Sequence, residues 1–218
     1  DYSIQLIKLL IKAGRLERAI EKVEYTYTIL PEVAIERLID LKIENAHILY
    51  FKNDISVSEA LAREAQEAAR TILYLDGELR AGYIIARCLI GRGELEAHEK
   101  LTLECLELSK KHHLIYHNAV FENERGINSL YNNRFDDSIE AFTESLKLHK
   151  EIEDDENIVK AYNNFGVIYL DGYGDYIVAR DYFRKAYTKA NSKNYFMNLP
   201  VYLNNLGETY RIEGRYEM

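Results

Sequence analysis

Six positions, each a glycine or an asparagine, recur at nearly constant intervals. Gly14, Asn53, Gly93, Asn133, Gly174 and Gly214 are separated by 39, 40, 40, 41 and 40 residues. Such a period over the whole sequence points to a repeat architecture, in which each unit buries its apolar face only against its neighbours. Glycine and asparagine tolerate the left-handed conformation that ends a helix. Two residues after each turn stands a large apolar residue, Leu16, Ile55, Leu95, Phe135, Tyr176 or Tyr216, placed to open the next helix. Five residues after the turn a small side chain (Ala19, Ser138, Ala179) lets two helices approach closely; His98 departs from this, and the second repeat reads as carrying two extra residues before Ala60.

The residues before the turns repeat too. Ala46, Ala86, Gly126 and Gly207 stand seven before their turns, and Gly166 stands eight before, consistent with one inserted residue. Three further on come Leu49, Leu89, Tyr169 and Tyr210, placed to fill the space between helices; the first repeat has Ile7 and Leu10 in these places and the fourth has Ser129. Apolar residues recur at intervals of three and four, with no strand-like alternation. Only two prolines interrupt 218 residues, so helices meet few breakers. The expectation is eleven helices, two for each of five repeats plus one, with Ala19, Ala179, Gly166 and Gly207 at close helix contacts.

The formal net charge is −8, and no basic face of the kind that neutralises nucleic-acid phosphates is visible. The densest basic stretch, Lys110, Lys111, His112 and His113, suits a helix C-terminus, where cations are favoured. Two cysteines, Cys88 and Cys105, read as small buried thiols, not as a disulfide framework. No signal peptide and no apolar run long enough to span a membrane is present, which favours a cytoplasmic location. The first residue is Asp1, as expected of a piece of a longer protein. Phosphate-binding loops, nucleophile elbows and zinc-protease motifs are absent, so no catalytic residue, metal site or cofactor is expected, and the chain is read as a binding protein and not an enzyme. His112, His113 and His117 lie close enough to ligate a metal, but the end of one helix and the start of the next explains them better.

The segments AYNNFGVIY (Ala161–Tyr169), GDYIVARDYFRKAY (Gly174–Tyr187) and YLNNLGETYRIEGRY (Tyr202–Tyr216) resemble the tetratricopeptide repeat family, as does Pro31, seventeen residues after Gly14. That family repeats about every 34 residues. A period near 40 lengthens the helices by a turn or extends the loops, and is similar to repeat domains of bacterial signalling and regulator proteins. The resemblance implies an all-α, right-handed superhelical solenoid over residues 1–218, one domain of five repeats plus one helix. It places Asn123, Asn163, Asn164, Asn204 and Asn205 on the concave face, joined by Arg80, Tyr83, Arg87, Lys160, Glu208 and Arg211. A row of asparagines can hold a peptide backbone by donor and acceptor at once, although asparagines there can also cross-link neighbouring helices. Arg125 stands where the family often has leucine; its stem is expected to pack while Glu122 or another carboxylate meets its head. The function implied is binding a protein or peptide segment in the groove. The alternative is a ligand- or signal-peptide-sensing domain of a multidomain regulator. Leu203, Leu206 and Tyr210 on the last helix are expected to be partly bare and to favour self-association.

Overall fold

The computed structural model describes residues 2–31, 33–195 and 198–214. Within them every regular element is helical: α1 (Tyr2–Lys12), α2 (Leu16–Ile29), α3 (Ile35–Phe51), α4 (Ile55–Thr71), α5 (Leu75–Gly91), α6 (Leu95–Lys111), α7 (Ile115–Tyr131), α8 (Phe135–Glu151), α9 (Asp155–Val167), α10 (Tyr176–Ser192) and α11 (Leu199–Ile212). Tyr216 lies outside the described residues. The chain divides into two compact units, Asp1–Ser109 and Lys110–Met218.

The period follows from helix length. Each of α3 to α8 has 17 residues, and three residues of turn separate each from the next, so one helix and one turn make 20 residues and a pair makes 40. All six glycine and asparagine turn residues have positive φ, from 57° at Asn133 to 77° at Gly214. Leu73, His113, Glu153 and Asn194 have positive φ as well; these are the turns between repeats. The turns share one hydrogen-bond scheme, in which the residue after the left-handed one donates to the carbonyl five positions back. Arg15 N–H reaches Leu10, Asp54 reaches Leu49, Tyr74 reaches Ala69, Glu94 reaches Leu89 and Arg134 reaches Ser129, at 2.8–3.0 Å. This satisfies carbonyls that the helix end would orphan.

The fifth repeat breaks the pattern by one residue. α9 runs on as a π-helical turn over Ile168–Gly172, and Asp175 N–H donates to the Tyr169 carbonyl, six positions back. The inserted residue is thus absorbed by one widened turn, leaving Gly166 and the turn at Gly174 in their usual places.

The second repeat carries no extra residues. Ser58, five after Asn53, is the small residue of that repeat: it is fully buried and its hydroxyl donates to the Ala46 carbonyl at 2.7 Å. Ser138 does the same to Gly126, also at 2.7 Å. His98 fills the slot in the third repeat and is buried too.

In the first unit, α1 to α3 close around Ile7, Ile11, Ala19, Val23, Leu41 and Ile48. α3 to α5 meet over Ile39, Ala46, Ala62, Ala65, Ala69, Ala81 and Leu89, so alanines let these helices pack closely. In the second unit aromatic rings take that role. A continuous chain runs Phe142–Phe165–Tyr182–Tyr169–Tyr173–Phe135, with neighbouring centroids 5.2–6.1 Å apart. Phe142 and Phe183 need glycine beneath them: a Cβ at Gly126 would lie 2.5 Å from the Phe142 ring and one at Gly166 would lie 2.4 Å from Phe183.

Gly207 does not sit at such a contact, since no described atom would come within 4 Å of its Cβ. Its counterparts are covered by the second helix of their own repeat, and no such helix follows α11 among the described residues. Leu206 is not bare: it is 7% exposed and packs with Ala179 and Phe183, with Tyr210 half-buried beside it. Leu203 is exposed, as expected.

Candidate functional site

The expected site residues fall in both units. In the second, α7, α9 and α11 present Asn123, Asn163–Asn164 and Asn204–Asn205 at matching positions. They bond between repeats by one rule: Asn164 Nδ2 donates to Asn123 Oδ1 at 2.8 Å, and Asn205 Nδ2 donates to Asn163 Oδ1 at 2.9 Å. The second asparagine of each pair thus reaches the first of the preceding repeat. Asn123 also donates to the buried Glu124 at 3.4 Å, and Asn204 is exposed. Within the described residues, Oδ1 of Asn164 and of Asn205 and Nδ2 of Asn163 are left without a protein partner, so the row keeps both acceptors and donors.

The other candidates of this unit are engaged along their own helices. Lys160 Nζ donates to Asn157 at 3.0 Å and pairs with Glu156 at 3.3 Å. Arg211 and Glu208 pair on the exposed side of α11, with Nε donating at 2.7 Å. Arg125 donates to Glu122 at 2.8 Å and reaches Glu140 at 3.4 Å, as the sequence suggested; Lys110 meets the other oxygen of Glu122 at 2.8 Å, so two cations balance that buried carboxylate.

In the first unit Arg80 is the centre of an ion cluster. It donates to Asp40 and to Glu44, the latter at 2.6 Å, and to Asp76 at 3.3 Å. Lys8 lies 3.7 Å from Glu44, and Tyr74 donates to Asp40 at 3.1 Å. Burial pushes the Glu44 carboxyl up, against the pull of Arg80 and Lys8. The work of Arg80 is therefore to tie α5 to α3, since removing one member of a buried pair leaves the other uncompensated. Asp40 was not singled out in the sequence, although it stands 40 residues before Arg80 in the same place of its repeat. Tyr83 is half-buried, and Arg87 approaches the Tyr50 hydroxyl at 3.5 Å.

The cysteines are buried and unpaired. Burial raises both thiols, Cys105 to about 12, so neither holds a reactive thiolate at neutral pH. His113 forms a turn between helices while His117 is buried on α7. No group of metal-ligating side chains occurs among the described residues, and no described helix is long and apolar enough to cross a membrane.

This architecture of stacked antiparallel helix pairs is the tetratricopeptide-like helical-repeat solenoid. Similar solved structures include BtubC (BKLC) from P. vanneervenii, 18% identical with a TM-score of 0.66 over 95% of this chain and 85% of that one. The apo form of RapI is 18% identical with a TM-score of 0.68, covering 97% of this chain and 83% of its own. A Rap protein complexed with Competence and Sporulation Factor is 16% identical with a TM-score of 0.75; 98% of this chain matches 63% of that one. No protein-family model and no curated protein matches the sequence.

Proposed function

We propose that this protein binds an extended polypeptide segment and that, in its second unit, the asparagine row of α7, α9 and α11 holds the backbone of that segment. The observation that carries the reading is the pair of inter-repeat amide bonds, Asn164–Asn123 and Asn205–Asn163. Each fixes the orientation of both amides, so their remaining donor and acceptor atoms are already aimed when a ligand arrives. Pre-organisation of this kind lowers the entropy cost of binding. An extended backbone offers N–H and C=O groups in alternation, which suits a row that keeps Oδ1 of Asn164 and Asn205 and Nδ2 of Asn163. Lys160, Glu208 and Arg211, which lie in the same unit as the row, would add side-chain selectivity. A Rap protein of this fold carries another molecule, Competence and Sporulation Factor, which supports binding over catalysis.

The test is native mass spectrometry of the chain incubated with a random hexapeptide library. Wild-type protein should retain peptides, and the Asn164→Ala/Asn205→Ala double variant should lose them while keeping its helical circular dichroism. Equal retention by the two proteins rejects the asparagine row. The likeness to RapI and to the Rap complex favours a finer version, in which the segment is a signal and the chain is the sensing part of a cytoplasmic regulator. Hydrogen exchange in the first unit should then change when a retained peptide saturates the second.

A further inference from the structure

The asparagines that fix a bound backbone share their helix faces with other side chains, and those decide what the bound segment can be. Residues three or four apart lie on one face of a helix. Ile127 stands four after Asn123 and Val167 stands four after Asn163. Both are half-buried. Ile127 packs against the cluster of Phe142, Phe165 and Ile168, and Val167 against that of Ala179, Phe183 and Leu206; each keeps surface that this packing does not cover. The fold does not demand an aliphatic residue there. The matching position holds His47 in α3, Arg87 in α5 and Glu208 in α11. Three residues before the asparagine slot the same contrast holds, with Val120 in α7 against Arg80 in α5 and Lys160 in α9.

The charges that border the row are already answered. Lys160 pairs with Glu156 at 3.3 Å, and Arg211 Nε donates to Glu208 at 2.7 Å. What these pairs select against is therefore a lone charge on the ligand. A charged side chain laid over Ile127 and Val167 would lose water and gain no counter-ion, whereas an aliphatic one buries apolar surface on both partners. An extended segment turns alternate side chains to one face, so the same residues that meet the row can meet these two. We infer that the bound segment is uncharged where it crosses α7 and α9 and lays aliphatic side chains of the valine or isoleucine kind on Ile127 and Val167. This names the ligand class of the site proposed above and rests on the asparagine row holding the backbone.

Three hexapeptides, acetylated and amidated so that their ends carry no charge, serve as probes. One alternates serine with valine; the others alternate serine with aspartate and with lysine. Isothermal titration calorimetry against the 218-residue chain should show binding of the valine peptide, with the other two at least tenfold weaker. Val167→Asp protein should bind the valine peptide at least tenfold more weakly and should prefer the lysine peptide to the aspartate one, a change of ranking that loss of structure does not produce. Because Val167→Asp could disturb the fold, Val167→Thr supplies a second readout: the valine peptide should bind about tenfold more weakly while the melting curve keeps its shape. Equal affinities for the three peptides, all abolished by Asn164→Ala/Asn205→Ala, overturn this inference and leave the asparagine row standing. Binding of the valine peptide that the double variant keeps, or no binding of any probe, overturns the row and this inference with it.

Discussion

Leu73, His113 and Glu153 hold φ values of 57°, 54° and 55°, a region that ordinary side chains enter at a cost of about 1–2 kcal/mol. They stay there because the flanking helices leave three residues in which to turn. Leu73 is 85% exposed, so its side chain has little contact to lose. Leu73→Gly should therefore stabilise the protein by about 0.5–1 kcal/mol, the strain relieved less the extra freedom glycine has when unfolded. Urea denaturation with an unchanged m-value would show this as a higher midpoint. Gly166 calls for the opposite substitution logic. A leucine there would collide with Phe183, and overpacking should cost about 1–3 kcal/mol; a thermal melt equal to wild type would show that this ring does not rest on the helix.

Asp154 connects two helices chemically. As the N-cap of α9 it accepts from Asn157 N–H at 3.2 Å and Asn157 Nδ2 at 2.7 Å, and its Oδ2 lies 3.3 Å from Nδ1 of His149 in the last turn of α8. Burial alone would raise its pKa, yet the neighbouring His149 imidazole and the bonds from Asn157 bring it down to about 2. A carboxylate depressed on folding stabilises at pH values above its unfolded pKa, about 3.9, and that contribution is lost as pH falls toward 2. The stability gap between wild type and Asp154→Asn should shrink between pH 4 and 2, measured by urea denaturation at each pH. The π-helical turn of the fifth repeat gives a second prediction. Deleting Asp171 restores the seven-residue spacing between glycine and turn, so the variant should keep its helical circular dichroism and melt no lower than the parent. The two kinds of turn also differ in how visible they are in the sequence. Those within repeats carry glycine or asparagine and can be read directly, whereas three of those between repeats carry leucine, histidine and glutamate, which announce nothing. Ser58 was overlooked for a related reason: burial of a hydroxyl is explained by the Ala46 carbonyl it reaches, and a sequence does not display that pairing.

Each unit holds apolar clusters of its own, alanine-rich in the first and aromatic in the second. Repeat proteins gain stability from such local terms and from nearest-neighbour interfaces. A fragment of residues 1–112, cut in the turn after α6, should accordingly melt cooperatively with a helical spectrum; a spectrum of unfolded chain would show that the first unit depends on the second. The longer period belongs to the helices and not to the loops, an alternative the sequence left open. The asparagine row was legible as a set of positions, but its mutual bonds were not, because they depend on how adjacent repeats are staggered. The pairing of glycine with phenylalanine has a further consequence for how such a gene can change. Ala46 is followed sixteen residues later by Ala62 and Ala86 by Thr102, whereas Gly126 is followed by Phe142, all of them buried. Unequal crossing-over at the Asn53 and Asn133 turns would join α3 to α8, forcing a methyl into a ring, or α7 to α4, opening a void. Exchange at Leu73, His113 or Glu153 parts neighbouring repeats but keeps each of these glycines and alanines with the second helix of its own repeat, so this pairing survives recombination at those codons.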